Sequence, residues 1–349
     1  MSEQTTKDAT KQRYGAIDGL RTFSAISIVA MHVLTNGGYG VQGFVFEKLI
    51  PSFTDLVFLF MILSGFSVCC GYYDKILNGR ISLSTFYIKR YAKVWPFFAF
   101  WSVADLIISP SLNALYEVFA NLTLCFGLLP DANISVIGVG WFLGVVFVFY
   151  MVFPFICWLL MDKRRAWLAF AAAFIFNCLC GEYFDAGRTS FIYCAVFFLA
   201  GGLIFLYKEQ LGRFAGKSKW FFLLGAVIMV VVFYAVGSCV PVMLLLFGLT
   251  LMYTLDESGK YPVLENCFTK FLGGISMEIY LCHMVAFRIL EKIGLTNLFG
   301  SAVLSFVVAT VLTFVSAVLL SVLVNHFMAL SGQWIKKFKE KYTSYNKER

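Results

Sequence analysis

Charge is scarce in this chain. Only 14% of its 349 residues are Asp, Glu, Lys or Arg, against about 25% in a soluble domain. Sixty per cent are apolar and the mean hydropathy is +0.80, which excludes a water-facing surface and predicts an all-α integral membrane protein. Histidine is rarer still, with three copies. The ten cysteines stand singly (Cys125, Cys157, Cys194, Cys282) or in small pairs such as Cys69-Cys70, most of them inside apolar runs. None has metal-ligand spacing, so buried packing is expected and no metal site. The amino end, MSEQTTKDATKQR, lacks the apolar core and small-residue cleavage site of a signal peptide, so the first span is expected to remain as an anchor.

A membrane-spanning helix needs about 20 mostly apolar residues. Ten segments qualify, roughly 17–36, 53–71, 91–109, 141–160, 166–182, 190–207, 220–237, 240–255, 271–290 and 301–329. The stretch 113–129 mixes apolar and polar residues and reads as a re-entrant or interfacial piece. No internal repeat, long polar insertion or low-complexity linker interrupts the chain. The organisation expected is a polar tail 1–13, one membrane domain 14–330 and a basic tail 331–349.

A net charge of +8 suits nucleic acid in a soluble protein, but here the basic residues flank apolar spans. Topology and lipid phosphates account for them, and no nucleic-acid partner is expected. One set of connections carries Lys75, Arg80, Lys89, Arg90 and Lys93, then Lys163 to Arg165, then Lys208, Arg213, Lys217 and Lys219. Both termini fall on that side, which an even number of spans requires. Arg188 and Lys292 lie on the poorer side. The positive-inside rule therefore predicts cytoplasmic ends.

Ionisable groups at membrane depth mark pathways or reaction sites. His32 lies about 16 Å beyond Arg21 along the first span, and His283 about 19 Å beyond Lys270 along the ninth. Both spans run outward, so the two imidazoles are expected at similar depth, facing one cavity. Ser276, Tyr280 and His283 share a helical face at i, i+4 and i+7. A histidine satisfied by a carbonyl or a serine is the plain alternative. His326, near the cytoplasmic end of span ten, suits interfacial anchoring.

Arg90 and Lys93 share a face at i, i+3 where the third span begins, with Lys89 beside them. Guanidinium and ammonium donors there suit a polyanion; a positive-inside stop signal touching headgroups is the alternative. Pro96 fits a capped or kinked helix entry. Ser64 and Gly65 permit close helix approach. Asp55, at the outer end of span two, is expected to orient a histidine or reach the interface. Glu278 must face protein or water, while Trp141 and Tyr150 suit interface anchors.

These residues together resemble the acyltransferase-3 family of membrane O-acyltransferases. IDGLR followed by ten residues between Arg21 and His32 looks like that family's first-helix signature. LSGF, the basic pair, WFLGVVFVFYMVFP (Trp141 to Pro154) and ISMEIYLCH (Ile275 to His283) follow in the expected order, over nearly the whole chain. Ten spans with cytoplasmic ends are similar to the family's layout. Three departures stand out. Lys93 occupies the place of a second arginine, keeping charge but losing bidentate geometry. Gly144 and Val145 follow the fourth-span tryptophan, where some members carry an acid. No hydrolase-like domain follows at the carboxyl end, so a second transfer step would need a partner protein.

The resemblance implies transfer of an acyl group, most often acetyl, from cytoplasmic acyl-CoA to a hydroxyl of a surface carbohydrate. Arg90 and Lys93, with Arg21, would hold the CoA phosphates. His32 would be the general base, a role that needs a neutral imidazole. His283, Ser276 and Tyr280 would line the cavity or hold the acceptor, with Asp55 and Trp141 assigned to the same substrate side. Acyl-CoA is a donor substrate, and no tightly bound cofactor is expected. The setting expected is a bacterial plasma membrane.

Two other readings compete. A proton-coupled transporter or flippase would use intramembrane His, Asp and Glu as a relay, and predicts inverted repeats and broken helices; neither is evident in the sequence. A structural membrane protein would leave the histidines and the basic mouth incidental.

Overall fold

The structure, a computed structural model, describes residues 14–108, 110–129, 138–256 and 259–347. Every element assigned among them is helical. The tail 1–13 lies outside the described residues.

Helix α1 (Ala16–Gly37) ends at Gly38, whose φ of 61° closes the last turn in the left-handed region. The chain returns through a short π-helical turn and α2 (Ile50–Ser52), then a 3-10 turn, into α3 (Leu56–Leu77). Helix α4 (Leu83–Ile108) follows. Next come α5 (Leu112–Thr123), α6 (Trp141–Met151), α7 (Phe153–Leu160), α8 (Lys163–Tyr183) and α9 (Phe191–Leu206). The remainder is α10 (Lys208–Val236), α11 (Val240–Tyr253), α12 (Cys267–Gly274), α13 (Ser276–Lys292) and α14 (Ala302–Lys347). Starts follow local chemistry: the side chains of Ser111, Asp162 and Ser190 each accept a first-turn N–H. Asn266 and Thr269 cap α12 reciprocally.

All ten apolar segments are helical, but length and composition qualify fewer of them as spans. Six helices are long and apolar enough to cross a membrane, or eight if two bent pairs each count once. Helices α9 and α11 have 16 and 14 residues, about 24 and 21 Å at the helical rise, short of a core about 30 Å thick. Two segments expected as single spans are broken. Helices α6 and α7 meet at 59° where Pro154 follows Phe153 and removes a helical donor. Helices α12 and α13 meet at 73° after Gly273-Gly274.

The start of α4 also differs from expectation. It begins at Leu83, with the Ser82 hydroxyl accepting the Thr85 N–H. Arg90 and Lys93 therefore stand on a formed helix, and Pro96 lies in its interior rather than at its entry.

Packing depends on small residues where helices cross. The most extensive contact joins α3 and α9. There a Cβ on Gly65 would meet the Phe198 carbonyl, and one on Gly201 would meet the Ile62 carbonyl. Each glycine admits the other helix's backbone. Helix α1 is held similarly: Gly273 lies against the Asp18 carbonyl and Gly19 against Leu264. Thr22 Oγ1 donates to the Thr269 carbonyl at 3.0 Å. This seats α1 beside α13 and α14. Helices α8, α10 and α14 turn exposed apolar residues such as Leu168, Val231 and Leu323 outward, as lipid-facing helices do. Helix α5 exposes Leu112, Leu115, Tyr116 and Phe119 while burying Ala114, Val118 and Asn121.

Candidate active site

Helices α1, α3 and α4 enclose a cleft of about 1030 Å³. Six cations line it, Arg21, Lys75, Arg80, Lys89, Arg90 and Lys93, against one acid, Asp18. The site is therefore strongly attractive to a polyanion. Arg21 donates from Nη2 to Ser67 Oγ at 2.8 Å and lies 3.7 Å from Asp18 Oδ1. Arg90 donates to the Tyr72 hydroxyl at 2.6 Å. Its guanidinium lies 4.4 Å from the Tyr72 ring centroid and 5.5 Å from that of Tyr150. Such packing orients a planar cation and limits its rotamers.

A smaller pocket of about 110 Å³ continues inward, sharing Arg21, Ser64, Arg90, Lys93 and Tyr150 with the cleft. Its walls include Glu278 and Ser276 from α13, and it also touches Phe60, Phe142 and Tyr280. Those three rings form a cluster, with centroids 5.6 Å apart for Phe142–Tyr280, 6.1 Å for Phe60–Phe142 and 6.4 Å for Phe60–Tyr280.

The histidine pair stands one ring further on. Tyr280 lies 5.9 Å from His283, and His283 lies 5.0 Å from His32. Neither histidine lines the cleft or the smaller pocket. His283 is fully buried, with Nδ1 2.6 Å from the Tyr280 carbonyl oxygen. His32 is half-buried.

Most residues singled out from the sequence are thus brought together. Arg21, Arg90 and Lys93 share both compartments, Ser276 and Tyr280 line the inner one, and the two histidines pair. Ser276 also donates to the Gly273 carbonyl at 3.0 Å, across the break between α12 and α13. Trp141 packs edge-on against Phe142 at 6.0 Å, one residue removed from the pocket wall.

Asp55 is elsewhere engaged. Its Oδ1 accepts from Arg188 Nη2 at 3.0 Å and its Oδ2 from Ser238 Oγ at 2.7 Å. That network ties α3 to the starts of α9 and α11. Tyr150, expected as an interface anchor, instead lines both compartments beneath Arg90. Sequence reasoning does not reach Ser67, Tyr72, Phe60 or Phe142, which also line these compartments. For Tyr72 a signal exists, since an aromatic hydroxyl precedes the basic Lys75 by three residues on α3. The two phenylalanines are among 39 in the chain and carry no local mark. Gly144, at the place of the family's occasional acid, packs against the Phe126 ring and leaves no room for a larger side chain.

Residues 14–326 match the acyltransferase-3 family model, described as an acyltransferase domain. The chain belongs to that family and is an acyltransferase. No curated protein and no solved structure matches it.

Proposed function

We propose that this acyltransferase moves a short acyl group, acetyl in the simplest case, from cytoplasmic acyl-CoA to a hydroxyl of a cell-surface or exported carbohydrate. The observation that carries the reading is the continuity of a six-cation cleft with a pocket of about 110 Å³ that ends one ring from a histidine pair. Phosphates of the donor pair with Arg21, Arg90 and Lys93. The thioester enters the inner pocket, whose volume suits a short acyl group and not a long chain. Movement of the Phe60, Phe142 and Tyr280 rings opens the way to His32.

His32 takes the proton as the acceptor oxygen attacks the thioester carbon. The intermediate then collapses, the carbon–sulfur bond breaks, and the imidazolium returns its proton to the departing thiolate. Ser276, Tyr280 and Trp141 shape the pocket and its approach, and Asp55 braces the opposite end through Arg188. The basic cleft opens to the cytoplasm, both termini lie on that side, and the setting is a bacterial plasma membrane.

One feature favours the transporter or flippase alternative: the two bent helix pairs, since broken spans are common where substrates cross. The test separates the two readings. Acetyl-CoA should raise the melting temperature of purified protein in detergent, and Arg90→Ala with Lys93→Ala should abolish the rise. No rise with the unmutated protein overturns the proposal. Mass spectrometry of surface glycans, with and without the intact gene, then identifies the acceptor.

A further inference from the structure

Among the described residues, one ring nitrogen of His283 has no hydrogen-bond partner. A carbonyl oxygen only accepts, so the contact with Tyr280 places the imidazole proton on Nδ1 and the lone pair on Nε2. That Nε2 is buried and unpaired among the described residues. Folded interiors rarely leave an acceptor in that state. The ring beside it is His32, at 5.0 Å between centroids with the planes inclined at 43°. Each ring nitrogen lies about 1.1 Å from its centroid, so rings 5.0 Å apart are close enough for an N–H of His32 to reach Nε2 when the two nitrogens face each other. The two imidazoles also differ in access. His32 is half-buried while His283 has no exposed surface, so a substrate hydroxyl can approach the first and not the second.

We infer that His283 is a positioning residue for His32. Its Nε2 accepts one ring N–H of His32 and thereby fixes which His32 nitrogen presents the lone pair to the acceptor hydroxyl. The inference rests on His32 acting as the base, as proposed above, and moves His283 from substrate contact to partner of that base. The chain of orientation runs from the Tyr280 carbonyl through His283 to His32, and the tautomer is set at each link. When His32 takes the hydroxyl proton, it carries two N–H groups. One stays bonded to Nε2 of His283, now charge-assisted; the other returns to the thiolate. One O–H bond is lost and one S–H bond forms, with no net proton left on the pair.

With three histidines in the chain, 15N-histidine spectra of the full-length protein in detergent can be assigned by single substitutions. The unmutated protein should show His283 and His32 each as one tautomer, with His283 protonated at Nδ1. His283→Phe should turn His32 into a mixture of tautomers and lower glycan acetylation by about a hundredfold, the scale of lost acid–base catalysis. Stabilisation by acetyl-CoA should be unchanged in that variant. His283→Gln, whose carbonyl accepts in the same place, should restore a single His32 tautomer and part of the transfer. A single, unaltered His32 tautomer in His283→Phe overturns the inference, as does a His283 protonated at Nε2 in the unmutated protein. Should His283→Phe fail to fold, the unmutated and Gln spectra decide: mixed His32 tautomers in either overturn it. Full acetylation by His32→Ala is a different failure. It removes the reading of His32 as base, while the tautomer measurements still report on the pair.

Discussion

The imidazoles of His32 and His283 lie 5.0 Å apart, one from the first long helix and one from the penultimate. The contact is imposed by the packing of α1. Gly19 and Gly273 let its backbone close on the segment before α13, and Thr22 ties it there through the Thr269 carbonyl. The base proposed at His32 acts in the chemical step and not in donor binding. His32→Ala should therefore lose acetyl transfer by about a hundredfold or more, with acetyl-CoA stabilisation retained. Glycan acetylation and a thermal melt with the donor check the two halves separately.

The cationic mouth predicts a graded series. Arg90 has its guanidinium against Tyr72 and Tyr150 and bonded to the Tyr72 hydroxyl. Arg90→Lys keeps the charge but loses the planar fork, so its effect should lie between wild type and Arg90→Ala. A hydrogen bond to a charged group contributes about 1.5–3 kcal/mol, which sets a weakening of roughly 10- to 150-fold for Arg90→Ala. Lys93→Arg should equal or exceed the unmutated protein in CoA affinity. Titration calorimetry over a range of salt concentrations measures the order, and a salt-independent affinity would contradict phosphate binding at this cleft.

What the sequence makes legible here is what membranes penalise. Arg21, His32 and His283 stand out because ionisable groups are few in apolar helices, and Arg90 with Lys93 because basic residues gather at one end of spans. Ser276 and Tyr280 follow from helical periodicity. The break at Ile275 is not legible: Gly273-Gly274 permits it, and the Asp18 carbonyl that packs against Gly273 comes from a segment distant in sequence. The same holds for Asp55, whose partners Arg188 and Ser238 come from remote connections. Phe60 and Phe142 are ordinary apolar residues until the fold places Tyr280 between them and the histidines. Local pattern reports cost and periodicity; it does not report which distant surfaces meet.

The crossing of α3 and α9 predicts a stability defect without a catalytic one. Gly65→Ala and Gly201→Ala each push a methyl group into the other helix's backbone, where no flexible side chain can give way. Overpacking of this kind costs about 1–3 kcal/mol. Both variants should melt several degrees lower by a thiol-reactive fluorescence assay adapted to the ten native cysteines. Gly181→Ala, with open space around its Cβ, should melt no lower than the unmutated protein.

Asp55 separates bracing from substrate contact. Asp55→Ala leaves Arg188 without its carboxylate and Ser238 without its acceptor. The Arg188 side chain is 41% exposed, so water compensates in part and the cost should be about 1–3 kcal/mol. The variant should melt lower, yet retain acetyl-CoA stabilisation and, at a temperature where it is folded, near-normal glycan acetylation. Loss of acetylation at unchanged melting temperature would instead assign Asp55 to the acceptor.

Phe142 bears on acyl selectivity, because its ring closes the inner pocket against Tyr280 at 5.6 Å and Phe60 at 6.1 Å. The pocket's volume of about 110 Å³ leaves little room past a short acyl thioester. Phe142→Ala removes most of that wall and also frees the Trp141 ring that packs on it. Longer donors such as butyryl-CoA should then bind more tightly, by roughly tenfold for the one to two methylene groups newly buried, at about 0.8 kcal/mol each. Acetyl-CoA should gain nothing, since its methyl group no longer meets a wall. Competition of the two donors in the thermal-shift assay reads the ratio directly. An unchanged preference for acetyl-CoA in Phe142→Ala would place the acyl group outside the aromatic cluster and remove the inner pocket from the donor's path.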